Sequence, residues 1–384
     1  MIEETPLSRA TRIATVGLVG AAALALTVVS STAASADPAS GAFRQVVAVG
    51  SNTTQDLDNG LANGFKLGTA TFTPTGALAD FASYNALAPT TDAFGTTITT
   101  YSGGNAFGRP NGSGDGRKAL SASWNSTNHT FNQAVNGVTT PYTLNNSDVS
   151  IARSSGKPGT LVAAGSDTDN LTSIPEARDA IGIAMYGVNT SVTGLNTSQL
   201  EALYGAGAPG SNAARGLYRK SSAHLTIGDI STHSSTAEKI IISISKKNVA
   251  TWQAITAVLP QASSGTRSTF LADLGTTNTV FGTWVQSKAT QEENDVTALK
   301  VTGSIEPFSG ASLISQERGL IKDTGVNKSG VRFPTVNGHH LWNATKGAGA
   351  GLYATASLSL QGNANLPVTT GVGVFARDVY TVVP

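Results

Sequence analysis

The 384-residue chain contains no cysteine. That excludes disulfides, thiolate metal sites and a lipid attached through a cysteine behind a leader. Charge is scarce too: 13% of residues are charged, 25 basic against 24 acidic. Non-specific nucleic-acid binding, which depends on neutralising many phosphates, is not expected from so even a balance. There are five histidines, of which only His339 and His340 are adjacent. They give no metal-ligand spacing and read as a turn or sheet-edge pair. No internal repeat is visible. Function must therefore come from local sites.

What abounds is Gly, Ser, Thr and Asn, a mixture that suits a secreted, loop-rich α/β or β-rich protein better than a helical bundle. The first 36 residues have the pattern of an export signal peptide. Arg9 and Arg12 precede an apolar run from Ile13 to Ser30, and Ala34-Ser35-Ala36 offers a small-residue cleavage site before Asp37. The run is also long enough to span a membrane, so an uncleaved anchor is the alternative. Cleavage after Ala36 removes two acidic and two basic residues and leaves a near-neutral chain with room for two lobes. "LPVTTG" (Leu366 to Gly371) resembles a sortase signal with one residue too many, and no hydrophobic or basic tail follows it. The expected product is extracellular, without a lipid anchor.

Three apolar runs lead directly into clusters of hydroxyls and glycine. "QVVAVG" runs into "SNTTQDL", "DVSIA" into "RSSGKPG", and "AITAVL" through "PQA" into "SSGTRSTF". Short runs rich in Val and Ile predict buried strands, and the first and third clusters open helical patterns. After the first, Thr53 is the candidate cap, Asp56 falls at the capping-box position, and Leu57 and Leu61 share a face until Gly64. After the third, Ser264 caps a helix in which Phe270, Leu271 and Leu274 recur at helical spacing before Gly275. A fourth cluster, "NGSGDGRKAL", opens a helix with Ser113 as candidate cap and Arg117 and Lys118 just inside. Further on, "IPEARDAIGIAMYG" ends in a strand-like run, and "LNTSQLEALYG" is a short helix capped by Asn196 or Thr197. Residues 206–247 show only one strand-like piece, "IIISIS".

Arg267 falls in the first turn of its helix, facing the positive end of the dipole. That is unfavourable by roughly 0.3 to 1 kcal/mol unless an anion is near. Alone, such a residue reads as a solvated surface charge. Strand-turn-helix units, however, place their turns at the carboxyl ends of strands, where α/β proteins bind ligands. Helix-start amides, hydroxyls and an arginine together make a small-anion site that needs no metal and no cofactor. One Ser/Thr/Gly cluster is more often an ordinary cap or turn. Four in one chain shift the reading toward a site.

In this order, "VAVGSNTTQDL", "RPNGSGDGRKAL", "SIARSSG", "IPEARDAIGIA", "LNTSQLEALYG", "LPQASSGTRSTF", "EENDVTAL" and "IEPFSGASLI" resemble the secreted phosphate-binding proteins of ABC transporters, particularly divergent actinobacterial forms. The resemblance implies a type II periplasmic-binding-protein-like α/β fold: two lobes, mixed sheets flanked by helices, and a ligand cleft between them. By that analogy residues 37–179 begin lobe 1, 180–311 form lobe 2, and 312–384 return to lobe 1. The implied ligand is phosphate, with sulfate as the alternative, and the implied partner is an ABC permease; a monomer is expected. Carried over, the family's anion ligands fall on Ser51, Thr53 and Thr54, on Ser113, on Arg153, Ser154 and Ser155, and on Ser264, Gly265 and Thr266.

The chain departs from the family in three places. Family members have an aspartate in the segment matching "IARSSG", where it accepts the proton-bearing oxygen of phosphate; here Arg153 and two serines stand instead. Sulfate carries no such proton at neutral pH, so an acceptor-only group tells the two apart. Asp56, Asp179 and Asp295 are the candidates to supply it. The family's arginine precedes SGT by four residues, where this chain has Pro260; Arg267 or Arg153 would serve. The lipid-anchor cysteine is the third missing feature.

Enzyme readings find less support. Ser154 to Lys157 spells S-x-x-K, but Pro158 follows directly and neither SDN nor KTG occurs. Ser113 lacks the flanking glycine pattern of a nucleophile elbow, and no histidine has a triad context. "KGAGAGLY" lacks the lysine-serine ending of a nucleotide phosphate loop. The expectation is a non-catalytic binding protein, the alternative a secreted wall or matrix protein without tight ligand binding.

Overall fold

The computed structural model describes residues 37–156, 171–205, 226–228, 240–246, 249–317, 321–337, 341 and 375–384, apart from gaps at 68–69, 90, 92, 189, 191, 278, 283–284, 288–290 and 298. The expected leader, Lys157, the paired histidines, "KGAGAGLY" and "LPVTTG" lie outside the described residues. In chain order the main elements are β1 (Val46–Gly50), α1 (Gln55–Asn63), β2 (Phe81–Ser83), α2 (Gly112–Trp124), the hairpin β3 (Thr130–Val135) and β4 (Val138–Thr143), β5 (Ile151–Ser154), β6 (Thr172–Tyr186), α3 (Thr197–Tyr204), β7 (Thr226–Gly228), β8 (Ile240–Lys246), β9 (Val249–Leu259), α4 (Gly265–Asp273), β10 (Ser304–Ser309), α5 (Gly310–Glu317) and β11 (Phe375–Val383). The architecture is mixed α/β, with a large mixed sheet flanked by helices.

The sheet runs β7-β8-β9-β10-β6-β11-β5-β1-β2. It holds two parallel groups: β1 beside β2 and β5, and β9 beside β10. Between them β6 and β11 run antiparallel, and β6 is long enough to serve both groups. Its Thr172–Ile181 part pairs with β11 and its Ile181–Tyr186 part with β10. The registers then fix where the strands end. β5 finishes at Ser154 opposite Tyr380, while β10 finishes at Ser309 opposite Ile181, which itself faces Phe375. The carboxyl ends of the two groups therefore point toward each other over the middle of β6 and β11.

Each half has its own core. In β1, Val47 and Val49 pack with Leu120 of α2 on one face, and Val46 and Ala48 pack with Leu61 of α1 on the other. Burial on both faces explains why the strand reads as a continuous apolar run. In the second half Ile183, Leu203, Leu259 and Phe270 form one cluster, and Ala184, Val258 and Phe308 another. Leu313, Val326 and Leu341, on the stretch assigned by analogy to the return into lobe 1, pack into this last cluster; Tyr380 and Val382 of β11 pack in the first half.

Local expectations fare unevenly at the caps. Ser264 caps α4, its side chain accepting from Arg267 N, and Gly275 follows with φ 69°. Asn196 caps α3 with a complete capping box to Gln199. α1 starts one residue later than expected, with Thr54 at the cap position and no side-chain cap bond. α2 is preceded by Asn111, which leaves Ser113 inside the first turn. The strand β6 continues through Pro175, with a register shift between Pro175 and Ala177 where the ladder accommodates the missing N–H.

Candidate functional site

Three of the hydroxyl clusters meet. Ser113 Oγ lies 3.2 Å from Ser155 Oγ and accepts from Ser155 N at 2.9 Å. Gly265, at the start of α4, abuts both: a Cβ there would sit 2.5 Å from Ser155 Oγ and closer still to Ser113 Oγ. Only glycine fits such a contact. The start of α2 is equally crowded. Gly112 has φ +87°, and a Cβ on it would come within 2.6 Å of Gln261 Nε2 and Ser263 O. Gly114 N donates to Ser263 O at 3.0 Å, so the loop after β9 touches α2 through main chain as well.

The turn after β1 extends this arrangement toward a pair of carboxyls. Ser51 Oγ accepts from Thr53 N at 3.2 Å, and Thr53 Oγ1 donates to Glu293 Oε1 at 3.3 Å. Asn52 Nδ2 donates to Glu292 Oε2, and to Asn294 Oδ1 at 2.9 Å. Asn111 Nδ2 donates to Glu292 Oε1 at 2.7 Å, and Gln261 Nε2 donates to Asn111 Oδ1 at 2.7 Å. Within this network Asn52 Oδ1 and Glu293 Oε2 are buried without a hydrogen-bond partner, as are Thr54 Oγ1 and Thr266 Oγ1 on residues next to Thr53 and Gly265. Buried polar atoms are nearly always bonded, so these four are the natural contacts for a ligand.

Glu292 and Glu293 are the functional candidates that sequence reading missed. The available signal was two adjacent acids in a chain poor in charge, inside "EENDVTAL". Both are buried. Burial pushes Glu292 up to about 8, with the neighbouring Glu293 charge adding, while bonds from Asn111 and Asn52 pull the other way. Burial also raises Glu293, opposed first by Arg377 and then by a Ser264 hydrogen bond. Glu306, on β10 nearby, is raised far above the usual range by burial, with Asp295 and Glu293 reinforcing it.

Neither expected arginine points at this cluster. Arg153 is 1% exposed, and its guanidinium donates to Ser51 O (2.9 Å), Ala48 O (3.3 Å), Ser83 Oγ (2.8 Å) and Tyr84 O (2.6 Å). It ties β1 to the strand beyond it. Arg267 is 3% exposed, not a solvated surface charge. Its Nη1 donates to Pro260 O at 2.8 Å and Ser287 Oγ at 2.7 Å, and it stacks 5.1 Å over Phe281. Burial lowers it to about 10. Ser154 is also engaged elsewhere, donating to Gly156 O and accepting from Arg117. It closes a strand, where S-x-x-K chemistry needs a helix turn.

The expected acceptors have other partners too. Asp179 pairs with Arg377 at 2.7 Å and accepts from Ser309 Oγ and Ala311 N, which holds the start of α5. Asp295 caps its own turn through Thr297 N and Oγ1. Asp56, in the first turn of α1, is raised to about 6 by burial against the pull of Arg153. The cation that acts on Glu293 is instead Arg377 of β11, buried on the paired strands β6 and β11 with its Nη1 unbonded. Among the described residues no group of His, Cys, Asp and Glu could hold a metal ion, and no helix is long and apolar enough to cross a membrane.

No protein-family model matches the chain, and no curated protein matches it. Similar solved structures include an ABC-type phosphate transport receptor from Vibrio cholerae, 15% identical with a TM-score of 0.30, covering 61% of this chain and 66% of that one. Another is a possible phosphate binding protein from Planctomyces limnophilus DSM 3776, at 11% identity and TM-score 0.28, covering 62% and 64%. The match spans just under two thirds of the length of each. At these values the likeness assigns no ligand to this chain.

Proposed function

We propose that the chain is an exported, non-catalytic solute-binding protein that holds a small oxyanion, phosphate before sulfate, in a cleft between two lobes. The supporting observation is the meeting of Ser113, Ser155 and Gly265 beside four buried, unbonded polar atoms, Asn52 Oδ1, Thr54 Oγ1, Thr266 Oγ1 and Glu293 Oε2. The amides that open α2 and α4, with the threonine hydroxyls, donate to the anion. Arg377 supplies the nearby positive charge, in place of Arg153 and Arg267. Glu293 takes the acceptor role first assigned to Asp56, Asp179 or Asp295, receiving the proton-bearing oxygen of phosphate that sulfate lacks. β6 and β11, the strands shared by both halves, are the hinge about which the lobes close. No cofactor takes part, and a monomer working with an ABC permease belongs to the same proposal.

Thermal unfolding of the purified protein with phosphate or sulfate tests this. Ligand at 100 times its dissociation constant stabilises by about 2.7 kcal/mol, so phosphate is expected to raise the midpoint and sulfate to raise it less. A second reading, a wall or matrix protein without tight ligand binding, is favoured by the direct bonds from Asn52 and Asn111 to Glu292, which join the two sides by themselves. Absence of a shift with any oxyanion would sink the receptor and leave that reading.

A further inference from the structure

Glu306 is a buried acid that the proposed anion site does not use. It stands in the middle of β10, fully buried, with neither Oε1 nor Oε2 hydrogen-bonded. Side chains alternate along a strand, so Glu306 shares a face with Phe308 and not with Ile305. On that face Phe308 packs with Val258, Val296 and Leu299, and Ala184 lies opposite Glu306 in the ladder. Val296 and Leu299 continue the turn formed by residues 291–295, whose Gln291 is the side chain that reaches Glu306. Main-chain bonds dock the turn as well, from Ser309 N to Glu293 O at 3.2 Å and from Gln261 N to Gln291 O at 2.9 Å.

The hydrogen bonds inside the turn decide what Glu306 can be. Gln291 is buried, and its Nε2 is occupied by Glu292 O at 3.0 Å and by Asp295 O. Exchanging its amide atoms would set an acceptor against two carbonyls, so Oε1 is the free end, and it too has no donor. Carboxylate and amide oxygens cannot bond to one another, whereas a carboxylic acid supplies the missing O–H. The charged groups acting on Glu306 agree with this. Asp295 and Glu293 are both acidic, and Tyr204, which donates to Ile305 O on the other face, is the titratable group that Glu306 itself acts on.

Resting on the oxyanion-binding reading, we propose that Glu306, as the neutral acid, donates to Gln291 Oε1 and so braces the turn that carries Glu292 and Glu293 into the anion site. It is a positioning residue, touching no ligand and acting through the turn it fixes. An ionised Glu306 would be an uncompensated buried charge beside two further acids.

Glu306→Gln, which keeps a donor, and Glu306→Leu, which has none, test this against the wild type. By calorimetry near pH 7 the phosphate dissociation constant is expected to stay within about twofold in Glu306→Gln and to rise about fivefold or more in Glu306→Leu. The infrared spectrum of the wild type is expected to contain a protonated-carboxyl band that Glu306→Gln lacks. Absence of that difference overturns the neutral acid, and wild-type affinity in Glu306→Leu reduces the residue to packing and overturns the brace. If the wild type binds neither phosphate nor sulfate, the oxyanion reading falls. Amide exchange at Glu292 to Asp295, expected to be faster in Glu306→Leu than in the other two proteins, then decides the brace, and equal exchange overturns it. Should Glu306→Leu fail to fold, a missing infrared difference or a loss of affinity in Glu306→Gln still overturns the proposal.

Discussion

The two sides of the candidate site are made of different chemistry. The first half presents neutral groups, Asn52, Thr53, Asn111, Ser113 and Ser155, while the second presents Glu292 and Glu293 beside Ser264 and Thr266. The arginines behave in the opposite way. Arg153 lies inside the first half and Arg267 inside the second, each donating to main-chain carbonyls. A guanidinium is well suited to this, because its five donors form a rigid fork that can tie several carbonyls at once. These two arginines brace each half internally, and acidity is concentrated on one side of the candidate site.

Removing a brace should therefore have the largest effect. Arg153→Ala leaves Ser51 O, Tyr84 O and Ser83 Oγ without the guanidinium donor, while Ala48 O keeps Tyr84 N, and takes the countercharge from half-buried Asp56 and buried Asp58. Breaking one side of a buried charge network costs about 3–5 kcal/mol, so urea unfolding should show a large drop in midpoint. Arg117→Ala, whose residue reaches Ser154 from a half-buried position in the second turn of α2, should cost about 1 kcal/mol or less. If Arg153→Ala keeps wild-type stability and loses only ligand affinity, that arginine belongs to the cleft after all.

The acidic wall should show in the pH dependence of stability. A carboxyl whose folded pKa is raised binds more protons in the folded than in the unfolded state, so stability falls as pH rises from its unfolded to its folded value. Asp56 and Asp115 (about 6) and Asp273 (about 7) shape the lower part of that fall, and Glu292 (about 8) its upper end. The expected outcome is greatest stability near pH 5, loss toward pH 8, and a flatter curve above about pH 7 in Glu292→Gln. A wild-type curve that rises between pH 5 and 8 would contradict the burial of these groups. Gly265→Ala comes next. Its methyl group would collide with the hydroxyls of Ser113 and Ser155, costing about 1–3 kcal/mol and separating the sides, so any phosphate-induced thermal shift should vanish as well.

How far these features were legible in the sequence depends on how local their causes are. β1, β5 and the Ile255–Leu259 end of β9 announce themselves as short apolar runs because each is buried on both faces, and Ser264 and Asn196 cap by bonds to amides three residues on. The meeting of Ser113, Ser155 and Gly265 was expected from the hydroxyl-glycine clusters taken in the order of the family resemblance. The continuation of β6 through Pro175 was not, because that stretch is held by β11, some 200 residues later. Nor were the two glutamates. Glu292 is bonded to Asn52 across 240 positions, and nothing around "QEEND" shows that its carboxyls face inward. The arginines misled for a related reason: their partners are carbonyls, which every residue carries, so local sequence cannot say which ones a guanidinium will reach.

The smallest effect discriminates best between scaffold and ligand roles at the candidate site. Ser264 has two assignments, since its Oγ accepts from Arg267 N at 3.0 Å as the cap of α4 and its hydroxyl also opposes the upward shift of Glu293. Ser264→Ala removes the cap, which costs about 1 kcal/mol, and frees Glu293 from one of the bonds that hold it down. Ser264→Asp restores an acceptor for the amide but places a further acid beside Glu293, so it separates the two assignments. If Ser264 is only a cap, Asp recovers the stability lost in Ala and leaves phosphate binding unchanged. If it also belongs to the acidic wall, Asp is expected to recover stability near pH 5, where the carboxyls are largely protonated, and to weaken phosphate binding near pH 8. Unfolding curves and phosphate titrations at the two pH values, compared across the wild type and both variants, distinguish these outcomes.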